Sequence, residues 1–435
     1  MRTTFSAHIQ NPEGFKQQAL AWAQQYREVV FLDSNNYHQK YGSYDAILAV
    51  DAFTSVITDH YNAFEDLAVY RRTTQDWLFG YLSYDLKNDT EDLTSRNFDG
   101  LGFADLFFFQ PQKLFLLKGN TVELHYLALC DDEMESDLDE ILNSELRIEN
   151  LELGIDNKEP ITIQQRISKE SYLDKAGQML QHIYRGDIYE ANFCMEFYAE
   201  DAVINPLSTY HQLNAISEPP FAVYLKNHKQ YLLSASPERY LKKEGSKIIT
   251  QPIKGTAPRS TDATEDEALK TALTQNEKER AENIMIVDLV RNDLSHTAEK
   301  GSVKVEELCE AYSFKQVHHL ISTVTSHIDS TVMPEEVLRT TFPMGSMTGA
   351  PKISAMQIIE NLEVTKRGLY SGAVGYFTPD ADFDFNVVIR SILYNADKQY
   401  VSFSVGSAIT ADAIPEKEYE ECLLKARAMR TVLGG

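Results

Sequence analysis

Two pairs of glutamates stand three residues apart in segments of helical character: Glu279 and Glu282 in EKERAENIMIVDLVRND, and Glu418 and Glu421 in PEKEYEECLLKARAM. Side chains three apart share one helical face, so each segment can aim two carboxylates at one point. Such a cluster suits a hard cation. Magnesium would take one or two carboxylates directly and keep waters or a substrate oxygen elsewhere. Either pair alone reads more simply as a solvated helix face. Lys425 lies one turn beyond Glu421, where an i,i+4 ion pair is the plain reading. Arg390 interrupts the apolar run DFNVVIRSILY. An unpaired charge there is costly, so it requires either a structural carboxylate or an anionic ligand, whose carboxylate the planar guanidinium matches.

Other strings are informative by what they lack. GSMTGAPK places three residues between Gly345 and Gly349 and puts Ala-Pro before Lys352, so it does not have phosphate-loop spacing. Cys130, Cys194, Cys309 and Cys422 are scattered, with no CxxC pair and no glycine-rich nucleophile elbow. That pattern points to reduced thiols, no zinc site, no built-in glutaminase and a cytoplasmic location. A formal charge of −24 argues against a nucleic-acid partner. No apolar run approaches a membrane span, and the first ten residues lack a signal peptide's apolar core.

The elements that must carry these residues follow from pattern and punctuation. Residues 168–185 predict an amphipathic helix with the stripe Tyr172, Ala176, Met179, Leu180 and Ile183, stopped by Gly186. FAVYL, QYLLSAS and the hairpin YLKKEGSKIITQ, turning near Gly245, predict strands. A helix is expected near 276–292, then strands at GAVGYFTP, DFNVVIRSILY and QYVSFSVG, then a last helix opened by Pro415. Strands joined by short turns, with helices grouped between them, indicate α+β rather than βαβ winding. The acidic stretch Asp131–Asp139 reads as solvated surface and residues 150–160 as a connector. A soft boundary near 160 divides residues 1–160 from 161–435.

SASPERY and QPIKGTAPR place Glu238 sixteen residues before Lys254. Together with FPMGSMTGAPKISAMQIIE they resemble the chorismate-utilising enzymes, strongly over about 165–431 and weakly before 160. The resemblance implies a two-layered sandwich of mainly antiparallel sheets flanked by helices, with the two parts of the chain interleaved. It also implies Mg2+ held by Glu282 and Glu421 directly and by Glu279 and Glu418 largely through water, meeting the ring carboxylate of chorismate. Tyr370 and Arg390 match the site for the enolpyruvyl carboxylate. Gly255, Thr256, Gly406, Lys425 and Ser346 match positions near the substrate. Ala408 stands where the family often has glycine.

Glu238 matches the family's general acid, which must keep a proton in order to release the C4 hydroxyl. His319 matches a histidine near the reacting ring. Anthranilate synthases usually carry alanine where this chain has Lys254, and component I of aminodeoxychorismate synthases carries lysine. The resemblance therefore implies amination of chorismate to 4-amino-4-deoxychorismate, on the way to p-aminobenzoate and folate. Lys254 would add at C2, and ammonia from a separate glutamine amidotransferase subunit would then attack C4. A free lysine is almost wholly protonated at neutral pH, so the pocket is expected to lower the pKa of Lys254. Water-using relatives carry a lysine base where GDIYEANF has Glu190, and aminating members typically have glutamine. Glu190 would orient ammonia or simply edge the core. Glu196 stands where arginine is frequent. VVFLDSNNY resembles a segment lining an amino-acid pocket, with Asp33 and Ser34 equally readable as a strand-end turn. The competing readings are the anthranilate-forming branch and a non-catalytic chorismate-binding regulatory subunit.

Overall fold

The structure, a computed structural model, describes residues 1–37, 40–143, 161–315 and 317–434. The connector read at 150–160 lies outside the described residues. Among them, twenty strands join in one hydrogen-bonded network, every ladder of which is antiparallel. The fold is α+β. The central strands are buried on both faces, and alternate residues feed two apolar cores: Phe115 and Leu117 point into one, Leu114 and Leu116 into the other. Helices Pro12–Trp22, Lys169–Arg185 and Pro415–Val432 pack on the first core. Helices Ala63–Thr74, Glu277–Ser295 and Pro334–Thr341 pack on the second.

Strands from before and after residue 160 alternate within the network. Glu28–Asp33 lies between Ala46–Thr58 and Phe221–Asn227, and Leu78–Leu82 lies between Leu106–Lys118 and Ala373–Phe377.

Local signals set the helix ends. Ser168 caps Lys169–Arg185 by accepting from the Ser171 N–H, Gly186 ends it at φ 87°, and its buried residues are the five of the expected stripe. Asn276 caps Glu277–Ser295, and Pro415 stands at the first turn of the last helix. The hairpin turns at Gly245, φ 59°.

Two expectations are corrected. DFNVVIRSILY is not one strand: it splits into Phe383–Val387 and Ser391–Asn395, because the chain turns aside between them and Arg390 takes φ 52°. In the acidic stretch Asp137 is buried, accepting from Lys113 Nζ at 2.5 Å and from Tyr126 Oη at 2.9 Å. A buried lysine needed a carboxylate, and helix Met134–Asn143 supplies it.

Candidate active site

Lys254 sits in the short strand Ile253–Pro258, which pairs with Val317–His327. The register slips between Lys254 and Thr256, where Gly255 takes φ 85°. This is a bulge, and bulges re-aim the side chains beside them. A Cβ on Gly255 would lie 3.1 Å from Glu279 Oε2. The same ladder brings His319 to Thr256: its Nδ1 is 3.0 Å from Thr256 Oγ1 and 3.2 Å from the Gly255 carbonyl. Burial, with the Arg390 charge nearby, pushes the His319 pKa down to about 3, so the ring is neutral.

Lys254 Nζ donates to Glu190 Oε1 at 2.8 Å. The expectation for its pKa is corrected. Burial alone would lower it, but the Glu190 carboxylate, with Glu282 and Glu421 behind it, more than offsets that and raises it. The amine is held charged. Glu238 stands near it in the link between strands Gln230–Ser236 and Arg239–Glu244, with its backbone carbonyl accepting from the Val387 N–H at 3.0 Å. Its carboxyl is pushed up to about 7 by burial, against partial relief from Ser346, Lys254 and Lys425. Ser346 lies beside it, its buried hydroxyl short of a well-formed hydrogen bond.

The two glutamate pairs face this group from helices Glu277–Ser295 and Pro415–Val432. Burial raises the pKa of Glu279, Glu282 and Glu418; Glu282 reaches about 7, while the Glu421 charge pushes Glu279 and Glu418 further up. For Glu421 burial also acts upward, but Lys425 at 2.6 Å outweighs it and leaves the carboxyl below its ordinary value. Lys278 lies 3.7 Å from Glu282 and 3.9 Å from Glu418. Among the described residues no three ligand-type side chains are gathered tightly enough to hold an ion as they stand. The donor set nevertheless fits Mg2+: four carboxyl groups from two helices offer the oxygen ligands that a hard cation takes.

Arg390 makes no ion pair with any described residue. Protein surrounds it closely enough that burial lowers its pKa, with Tyr370 and Glu421 acting the other way, yet part of its surface stays open. The structural salt bridge weighed for it is absent among the described residues. Tyr370 is buried with its hydroxyl 3.8 Å from Cys194 Sγ. Gly406 is required by close packing, because a Cβ there would lie 2.6 Å from Cys194 Sγ; its carbonyl accepts from Lys425 Nζ at 2.8 Å.

Sequence reasoning missed three parts of this arrangement. Lys278 bridges the glutamate pairs, and only its place one turn before Glu282 hinted at that. Arg367, buried, donates to Glu363 at 2.6 and 2.9 Å and to the carbonyls of Met347 and Asn192 at 2.7 Å each, tying together the segments that carry Ser346 and Glu190. Glu190 is the partner of Lys254. By contrast Glu196 is structural: it accepts from Arg166 at 2.9 Å, Tyr400 Oη at 2.8 Å and Ser402 Oγ at 2.7 Å. Asp33 and Ser34 line a separate cavity of about 190 Å³ with Phe221 and Arg239, where Asp33 accepts from Lys16 Nζ at 2.9 Å.

The family model described as chorismate binding enzyme matches residues 27–431. Anthranilate synthase component 1 of Thermus thermophilus is 35% identical over 353 residues, covering 80% of this chain and 76% of that protein. Aminodeoxychorismate synthase component 1 of Escherichia coli is 39% identical over 258 residues, 59% of this chain and 56% of that one. The crystal structure of anthranilate synthase component I from Streptococcus pneumoniae is 25% identical with a TM-score of 0.74, covering 91% of this chain and 94% of that one.

Proposed function

The chain belongs to the chorismate binding enzymes, and from that premise we propose that it aminates chorismate at C4, giving 4-amino-4-deoxychorismate, with ammonia delivered by a separate glutamine amidotransferase subunit. The observation that carries this choice is Lys254, a partly buried amine paired with Glu190 beside the buried acid Glu238, at the position where the resemblance separates the aminating branch at C4 from anthranilate synthases.

Glu282 and Glu421, backed by Glu279 and Glu418, would hold Mg2+, which supplies positive charge for a ring carboxylate. Arg390 and Tyr370 would take the second carboxylate. Arg390 suits that role because it makes no ion pair with any described residue and part of its surface stays open, so an anion gains a charge-assisted hydrogen bond without breaking such a pair.

The neutral amine of Lys254 adds at C2. Its electron pair forms the N–C bond, the two ring double bonds shift, and the C4–O bond breaks. Glu238 gives its proton to the departing hydroxide, which leaves as water. A carboxyl with a pKa of about 7 is protonated often enough near neutrality to do so. Ammonia then attacks C4, the double bonds shift back, and Lys254 leaves C2 with its electron pair. Glu238 recovers a proton from the nitrogen now on C4. The balance is chorismate plus ammonia to product plus water, with the enolpyruvyl ether intact.

The test is incubation of the full chain with chorismate, Mg2+ and ammonium, with products identified by mass spectrometry. An aminated product that keeps its enolpyruvyl group supports the reading, and Lys254→Ala should abolish it. Anthranilate plus pyruvate would establish the other branch, which the 35% identity to an anthranilate synthase component keeps in contention. Tight chorismate binding without turnover would support a regulatory subunit.

A further inference from the structure

Glu190 opens strand Glu190–Ala199 and is fixed from both sides. It pairs with Thr410 of strand Tyr400–Thr410 and with Ala350 of Gly349–Ala350. The Glu190 carbonyl approaches so closely that a Cβ on Gly349 would lie 2.1 Å from it. The side chain is almost fully buried, with Oε1 2.8 Å from Lys254 Nζ and Oε2 without any hydrogen-bond partner. A buried carboxylate is normally held by two or three donors. Among the described residues this one has Lys254 as its one hydrogen-bond donor. A buried carboxylate and a partly buried ammonium joined by one contact form a pair that one proton movement would make neutral.

We propose that Glu190 is the proton acceptor that frees the Lys254 amine for attack, an inference that rests on Lys254 acting as nucleophile in the reading above. The Nζ–H bond breaks, its electron pair stays on nitrogen and goes into the bond to C2, and the proton moves to Glu190 Oε1. When Lys254 leaves C2 it takes that proton back and the ion pair is restored. Lys254 also faces Glu238 from the link between strands Gln230–Ser236 and Arg239–Glu244, Glu279 and Glu282 from one helix and Glu421 from the other. Among the described residues only Glu190 is hydrogen-bonded to Nζ. Glutamine at this position can accept a hydrogen bond but not the proton.

The consequence is a pH signature. Proton transfer inside the pair leaves the net charge unchanged, so in the natural enzyme it adds no pH dependence of its own. In Glu190→Gln the lysine must lose its proton to solvent. The ratio of variant to wild-type kcat should then rise about tenfold per pH unit on the acid side of the variant's lysine pKa. Rates are measured across the neutral range with chorismate, Mg2+ and saturating ammonium, and taking the ratio cancels ammonium speciation. Glu190→Ala should show the same slope as Glu190→Gln. Glu190→Asp, which keeps an acceptor, should give a ratio independent of pH, and thermal melts verify folding of each variant. A pH-independent ratio in the Gln and Ala variants would overturn the assignment, whatever the absolute loss, because a structural role lowers the rate without changing its slope. If wild type forms no aminated product, the functional reading fails by itself. If Lys254→Ala keeps full rate, the nucleophile and this proposal fall together.

Discussion

Replacing Glu238 by glutamine should stabilise the protein above neutrality while disabling it. Glu238 is only 5% exposed, and its pKa stands at about 7 against an ordinary 4.5. The unfolded chain gives up this proton near 4.5, whereas the folded chain holds it to about 7. Between those values the folded state binds more protons, so raising the pH destabilises it, and above about 7 the full cost of a buried carboxylate is present. The interval from 4.5 to about 7, at about 1.36 kcal/mol per pH unit, comes to about 3 kcal/mol.

Glutamine carries no such charge. The stability difference between variant and wild type should therefore move in the variant's favour by about 2.5 kcal/mol between about pH 5 and about pH 8. Urea unfolding at the two pH values reads it, and a difference that does not change with pH would refute the burial argument for Glu238. The same side chain as general acid predicts a loss of about 100- to 10,000-fold in kcat for the glutamine variant. In the wild type it predicts a kcat that falls as pH rises above about 7.

Arg390→Met should raise the chorismate KM about 10- to 100-fold, with stability unchanged or improved because no ion pair to a described residue is broken; steady-state kinetics and a thermal melt on one preparation check both. Arg367→Met strands the Glu363 carboxylate in the interior and should cost about 3 to 5 kcal/mol in urea unfolding; a loss below 1 kcal/mol, roughly that of an exposed pair, would show that the network is not structural. Chelation with EDTA should abolish amination and added Mg2+ should restore it, whereas full activity in chelator would remove the metal role given to Glu282 and Glu421.

Much of the scaffold was legible because its determinants are local. Ser168, Gly186, Asn276 and Pro415 mark helix ends through hydrogen bonds or dihedral angles that reach only a few residues, and the stripe from Tyr172 to Ile183 is the 3.6-residue period itself. The glutamate pairs were legible for the same reason: three-residue spacing sets their shared face before any tertiary contact forms. The break at Val388–Arg390 was not. An apolar run carries no mark of the left-handed residue at Arg390 that separates Phe383–Val387 from Ser391–Asn395.

The charge state of the site belongs to tertiary structure altogether. Glu190 and Lys254 are 64 residues apart, and Arg367 reaches a carbonyl 175 residues away. The sequence by itself determined which groups can carry acid, amine and carboxylate chemistry, and on which local faces they lie. Only the register of the strands and the bulge at Gly255 decided that the amine meets a bare carboxylate rather than solvent. Burial then turned that contact from a weak surface pair into one that governs protonation, because charge interactions strengthen and solvation is lost only where water has been excluded.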